Sequence, residues 1–264
     1  MCIIIGEVVK VSNTNILCSL SEDKKRQLIV YSNLINNTTK NNAMILPVPL
    51  PDTIMFHDLS NYQNLFSDCN KCFTKQTKSW NSFNLLSNLK TFSVGSYTVS
   101  VAKNIEDLKK FDLSPELLSL LRINYANIFG FIICKLNLGF EKYYPFAYSS
   151  EIYNNNIFIP TKHYYKINSI NFTTNYFNLI QVTNNIDDNY TNKTGDWNHN
   201  IYFYNVYPQK NNLITTMCEN NYIWTSKIFD FNKINFLFSK NCYNFEKIKI
   251  KGVQENIDLI ISVN

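Results

Sequence analysis

Glycine is the first shortage, with six in 264 residues. Nucleotide cradles need glycine where backbone closes on phosphate. The chain carries no Gly-x-Gly-x-x-Gly and no Gly-x-x-x-x-Gly-Lys. The strained serine elbow Gly-x-Ser-x-Gly is missing too. Arginine stands only at Arg26 and Arg122. It is the side chain that grips phosphate and guanine with two prongs. A net charge of +5 built almost wholly from scattered lysines is therefore a poor footprint for a polyanion, and no nucleic-acid partner is expected. No apolar run reaches the ~18 residues that a bilayer span needs, since Lys135 interrupts the stretch from Ile128 to Leu136. The N-terminus lacks a basic region followed by an apolar stretch with a small-residue cleavage site. With seven cysteines, an odd number, the expectation is free thiols in a reducing compartment, the host cytoplasm or a virion.

Asparagine is in excess, at about 41 residues, with 17 Tyr and 19 Phe beside it. Asn, Lys, Ile, Tyr and Phe take AT-rich codons, whereas Arg, Ala, Gly and Pro take GC-rich ones. The bias reads as an AT-rich genome, a giant DNA virus or an AT-rich protist, before it reads as function. The Asn-x-Thr sequons at Asn37, Asn171, Asn189 and Asn192 arise by chance in such a chain.

Strand signals dominate. Ile3 to Val11 and Thr14 to Leu20 are apolar runs around Ser12-Asn13, and a charged turn over Ser21 to Arg26 leads to Leu28-Tyr31. Ala43 to Leu50 enters as a strand, but Pro47 and Pro49 predict an edge strand or polyproline segment. Ser60 predicts a helix start that runs to about Phe73. Asn104 caps a short helix, and Ser114-Pro115-Glu116 opens a second that ends near Asn127. Phe131 to Leu136 reads as a buried strand after Gly130. Lys247, Lys249 and Lys251 alternate with Ile248 and Ile250, which predicts lysines on the wet face of a strand. The fold class is α+β: a β-rich single domain over 1–264 with two or three helices in the first half. Residues 184–196 are expected as an Asn-rich surface loop within it.

Chemistry concentrates at Cys2. Removal of Met1 would leave a thiol beside an α-amine of pKa about 7.7–8.0, able to act as a base near neutrality. The opening Met1-Cys2-Ile3-Ile4-Ile5-Gly6 resembles that of cysteine N-terminal-nucleophile (Ntn) hydrolases, and is similar to the transport-and-Golgi-organisation family. The first resemblance implies an amidohydrolase whose nucleophile is Cys2. Bile-salt-type members carry an arginine and an aspartate on the next strand; here that strand reads Asn15-Ile16-Leu17-Cys18-Ser19-Leu20. The Asn-Arg-Asp-Glu signature of the second family is absent. The string Asn42-Ala43-Met44-Ile45-Leu46-Pro47-Val48-Pro49 is similar to uncharacterised bacterial and giant-virus proteins, which implies a fold neighbour and no mechanism.

There are three histidines. His57 precedes Asp58, whereas His163 and His199 flank the Asn-rich excursion. If the excursion returns the chain to where it left, His163, Asp196 and His199 converge within about 10 Å, the scale of one small ligand. Cys69-Asn70-Lys71-Cys72 is a lone Cys-x-x-Cys near a helix end, without a second knuckle, so no metal and no cofactor is expected. With no complete catalytic motif and many aromatic residues, the preferred reading is a structural or interaction protein that meets protein partners or itself. The alternative is the Cys2 amidohydrolase.

Overall fold

The eighteen residues from Ile3 to Leu20 form one long strand, β1, which organises the rest. The computed structural model describes residues 3–73, 93–94, 97–111, 113–125, 127–142, 145–162, 164–167, 194–204, 206, 218–220, 245–255 and 257–263. After β1 come β2 (Arg26–Asn37), β3 (Ala43–Pro49), β4 (Met55–His57), α1 (Leu65–Lys71), β5 (Ser93–Val94), β6 (Tyr97–Ala102), α2 (Ile105–Leu108) and α3 (Pro115–Asn124). The second half adds β7 (Phe129–Lys135), β8 (Gly139–Lys142), β9 (Phe146–Glu151), β10 (Asn156–Ile159), β11 (Tyr164–Ile167), β12 (Thr194–Tyr204), β13 (Cys218–Asn220), β14 (Phe245–Glu255) and β15 (Leu259–Ser262). The architecture is α+β and strand-dominated, as expected.

β1 is too long to keep one neighbour on either edge. On one edge it meets β3 at Ile3 and Ile4, then runs antiparallel to β2 from Val8 to Leu20. On the other it runs parallel to β11 from Ile3 to Val8 and to β12 from Thr14 to Ser19. β12 continues through β14 to β13, and β3 continues through β7 and β6 to β5. The ladder between β1 and β2 slips where Ser12 faces Leu34 and Asn15 faces Ser32, so two residues oppose one. Asn13 supplies the bend with φ 51, a left-handed conformation that Asn tolerates better than most residues.

Both faces of β1 are covered. Ile4, Ile16 and Cys18 belong to one apolar cluster with Tyr31, Met44, Ile132 and Phe203. Ile3 packs on the opposite face with Ile45, Phe131, Leu121 of α3 and Tyr125 just beyond its end. Leu17 sits with Leu65, Phe66 and Cys69 beneath α1. Continuous β-branched residues therefore mark cover on two sides, which is the expected reason for such a run. β10 and β15 form a separate two-stranded sheet. Asp258 ties it to α3: one carboxylate oxygen accepts from the Thr161 and Lys162 backbone N–H groups, each at 2.8 Å, and the other from the Tyr125 hydroxyl at 2.8 Å.

Several expectations need correction. β3 is not an edge along its length, because it lies between β1 and β7. Pairing with β1 ends at Ile45, before the prolines, and Pro47 and Pro49 face only β7. A residue without N–H is tolerated where one side has no ladder. The helix expected from Ser60 is split into a 3-10 turn, Ser60–Tyr62, and the short α1. Asp58 accepts from the Ser60 N–H at 2.8 Å, so the acid two residues earlier does the capping. α3 stops at Asn124 rather than near Asn127. Residues 194–196, placed in the loop, are strand; 184–193 lie outside the described residues. Lys247 is not on a wet face: only 8 % of it is exposed. Its ammonium donates to Asn70 Oδ1 at 2.9 Å and lies over the Tyr202 ring, so α1 and the aromatic rings cover that face of β14.

Candidate functional site

A cleft of about 410 Å3 opens beside α1 at the level of the β1 bulge. It is lined by Asn13 and Asn15 of β1, Ser32, Asn33 and Leu34 of β2, Gln63, Asn64, Phe66, Ser67 and Asn70 around α1, and Pro145. The sheet makes this opening because β2 also changes partner here: it pairs with β9 through Tyr31 and with β8 from Leu34. Helical spacing does the rest. Leu65, Phe66 and Cys69 turn into the core, while Gln63, Ser67 and Asn70 recur at intervals of four and three on the cleft side. None of the lining residues is charged, and six are Asn or Gln.

The amides are held from behind. Asn70 Oδ1 accepts from the Tyr202 hydroxyl at 2.7 Å and the Lys247 ammonium at 2.9 Å. An ammonium only donates, so the atom facing it is the oxygen and the NH2 group turns away. Asn15 Oδ1 accepts from Asn200 Nδ2 at 3.1 Å, and Asn15 Nδ2 donates to the Asn13 carbonyl at 2.7 Å. Asn33 Oδ1 accepts from the Tyr97 hydroxyl at 2.9 Å.

A second cluster joins three strands. His57 Nε2 lies 2.9 Å from Ser149 Oγ. Arg26 Nη2 donates to that oxygen at 3.2 Å and to the Thr53 carbonyl at 2.7 Å. Burial first, then the neighbouring Arg26 charge, push the His57 pKa down to about 4. The ring is therefore neutral at pH 7, with one nitrogen a donor and the other an acceptor. A serine beside a neutral imidazole and a guanidinium has the donor set of a nucleophile site. Ser149 is wholly buried, however, and nothing in the cleft lining reaches it. The trio clamps β2, β4 and β9 together. Sequence reasoning missed Arg26 and Ser149 because the partners stand up to 123 positions apart.

Cys2 and His163 lie outside the described residues. His199 is buried, with 3 % exposed, on β12 opposite Thr14 of β1 and Ile250 of β14. Asp196 is on the same strand opposite Val253. Tyr164, next to His163 in sequence, pairs with Ile3, eleven residues along β1 from Thr14. That is roughly 36 Å of strand, so the register does not draw Tyr164 toward His199. Cys69 and Cys72 are buried free thiols, and burial holds the Cys69 pKa well above its usual value. Helix α1 ends at Lys71 with Cys72 as its C-cap, so the pair lies near a helix end as expected, and both cysteines pack as apolar side chains. No group of three His, Cys, Asp or Glu among the described residues is placed to hold a metal ion. No helix among them is long and apolar enough to cross a membrane.

No protein family matches the sequence. Solved structures of baculovirus P35 are similar in fold. One matches over 99 % of this chain and 99 % of its own, with TM-score 0.51 and 16 % identity. A mutated baculovirus P35 after caspase cleavage matches over 97 % and 99 %, with TM-score 0.46 and 12 % identity. P35 in its complex with caspase-8 matches over 96 % of each chain, with TM-score 0.45 and 13 % identity. At 16 % identity the likeness is one of fold.

Proposed function

We propose that this chain acts by binding another protein, and that a caspase-type protease is the partner class to test first. The observation that carries this reading is the end-to-end correspondence with baculovirus P35, at TM-score 0.51 over 99 % of both chains. P35 is a protein known cleaved by caspase and in complex with caspase-8. The chain's own chemistry is consistent with binding. Ser149 is buried, Cys18, Cys69, Cys72 and Cys134 are buried, and the open cleft is lined chiefly by amides.

The test is direct. Purified full-length chain is titrated into purified caspase-8 while cleavage of a fluorogenic peptide is followed, and the mixture is passed over a sizing column. The expected result is a stable complex with loss of protease activity as the two approach equal amounts. Full activity and separate elution at micromolar concentrations would remove the caspase reading. Co-elution with activity retained would keep the binding and reject inhibition.

A further inference from the structure

We infer that the amide-lined cleft beside α1 is a peptide-binding groove that holds the main-chain carbonyls of an extended segment from a partner protein. This rests on the reading of the chain as a protein-binding module and adds to it a location and a mode of recognition. The occupant is named by the chemistry of the walls.

The cleft is where β1 and β2 both change neighbours, so it is built into the sheet rather than formed by a loose loop. On β1 the parallel ladder with β11 ends at Val8 and that with β12 begins at Thr14. On β2 the ladder with β9 ends at Tyr31 and that with β8 begins at Leu34. Asn13, Asn33 and their neighbours fall in that interval, and α1 borders it. A volume of about 410 Å3 lies within the range of ligand sites. It suits a stretch of about three extended residues rather than a whole domain surface.

The walls choose the ligand class. With no charged side chain in the lining, neither a phosphate backbone nor an acidic peptide finds a counter-ion. Carbohydrate and single-stranded nucleic acid sites offer an aromatic face for stacking. The one aromatic here, Phe66, is buried in the cluster under α1. What remains is a set of amides, the same functional group as a peptide bond. Asn15 and Asn33 spend their NH2 groups inside the protein, on the Asn13 carbonyl and on Tyr31 and Met44, whereas Asn70 is poised to donate. Lys247 and Tyr202 occupy Asn70 Oδ1, which leaves Nδ2 as the free end, and among the described residues it makes no hydrogen bond. Ser67 and Asn64 are exposed at the rim and can follow a chain that leaves the cleft. A carbonyl is an uncharged acceptor, and an extended peptide presents one per residue.

The experiment uses the full chain labelled with nitrogen-15, and follows Asn and Gln side-chain amide signals by NMR. The probe is acetyl-tetra-alanine amide, which is uncharged and has no side chain to anchor elsewhere. Saturable shifts of Asn70, Asn64 and Gln63 signals are expected in the millimolar range, where a few weak hydrogen bonds place the affinity of so small a probe. The N-methylated tetra-alanine keeps its carbonyls and loses its N–H donors, so it should still bind. Asn70→Leu should weaken binding about fivefold, the equivalent of one hydrogen bond. Lys247→Met removes the obligate donor behind Asn70, lets the amide turn over, and should weaken binding without touching the cleft wall. If Asn70→Leu fails to fold, Ser67→Tyr, on an exposed position at the rim, blocks the cleft instead. No shift at about 10 mM peptide overturns the inference. So does a response to maltotetraose with none to peptide, which would assign the cleft to carbohydrate. Loss of caspase binding with the peptide shifts intact would sink the protease reading alone. Caspase binding without any peptide shift would sink the groove alone.

Discussion

Gly130 shows how one atom can decide a local fit. A Cβ built there would lie 2.4 Å from Pro51 Cβ and 2.6 Å from the Ala102 carbonyl oxygen. Neither neighbour can yield, since one is a ring and the other is strand backbone. Gly130→Ala should cost about 1–3 kcal/mol, as overpacking does, read as a lower urea midpoint with unchanged slope. His57 makes a prediction about pH. Its folded pKa is about 4, below the ordinary value of 6.5. The unfolded chain therefore binds the extra proton first, and stability is complete above pH 6.5 and falls as pH drops toward 4. A urea series at pH 7 and pH 4.5 should show this fall. His57→Phe, with no proton to take up, should reduce it; an identical fall in the variant would show that other groups carry the effect.

Elements were legible where their signals are local. Asn104 Oδ1 accepts from the Asp107 N–H at 3.0 Å, and Ser114 Oγ from the Leu117 N–H at 3.2 Å, which are the two caps the sequence announces. Ser114→Ala should lose about 1 kcal/mol in thermal or urea unfolding, and Ser114→Asp should restore most of it. A cap needs only the next three residues, so no tertiary knowledge enters. β3 and β14 were misread for the opposite reason. Whether Pro47 is at an edge depends on where β1 stops pairing, and whether Lys247 is wet depends on where α1 packs. Alternation on a strand says which residues share a face, never what covers that face. The cleft was illegible for a further reason: Asn13, Asn33 and Asn70 are ordinary members of an asparagine excess until the sheet brings them together.

At the scale of the whole molecule, β1 joins the two faces of the core. Ile4 is 2 % exposed and belongs to the cluster that runs from Met44 to Phe203 and Ile248. An aspartate there would be a buried charge with no designed partner, and its cost is several kcal/mol, of the order of total stability. Ile4→Asp should give insoluble protein, while Ile4→Val should fold with a loss of about 1 kcal/mol. A soluble Ile4→Asp chain with unchanged melting would show that β1 does not hold the core.

The composition and the apolar runs by themselves determined a β-rich α+β chain, the starts of α2 and α3 and a long apolar first strand, because helix caps and side-chain alternation act over a few residues. The tertiary structure alone decided which edges of β1 take which partners, that Lys247 is buried, that Arg26, His57 and Ser149 clamp three strands, and that a cleft opens at the Asn13 bulge. Those outcomes depend on pairing between residues up to 185 positions apart, as in the Asn15–Asn200 hydrogen bond, and a sequence read in short windows holds no term for them.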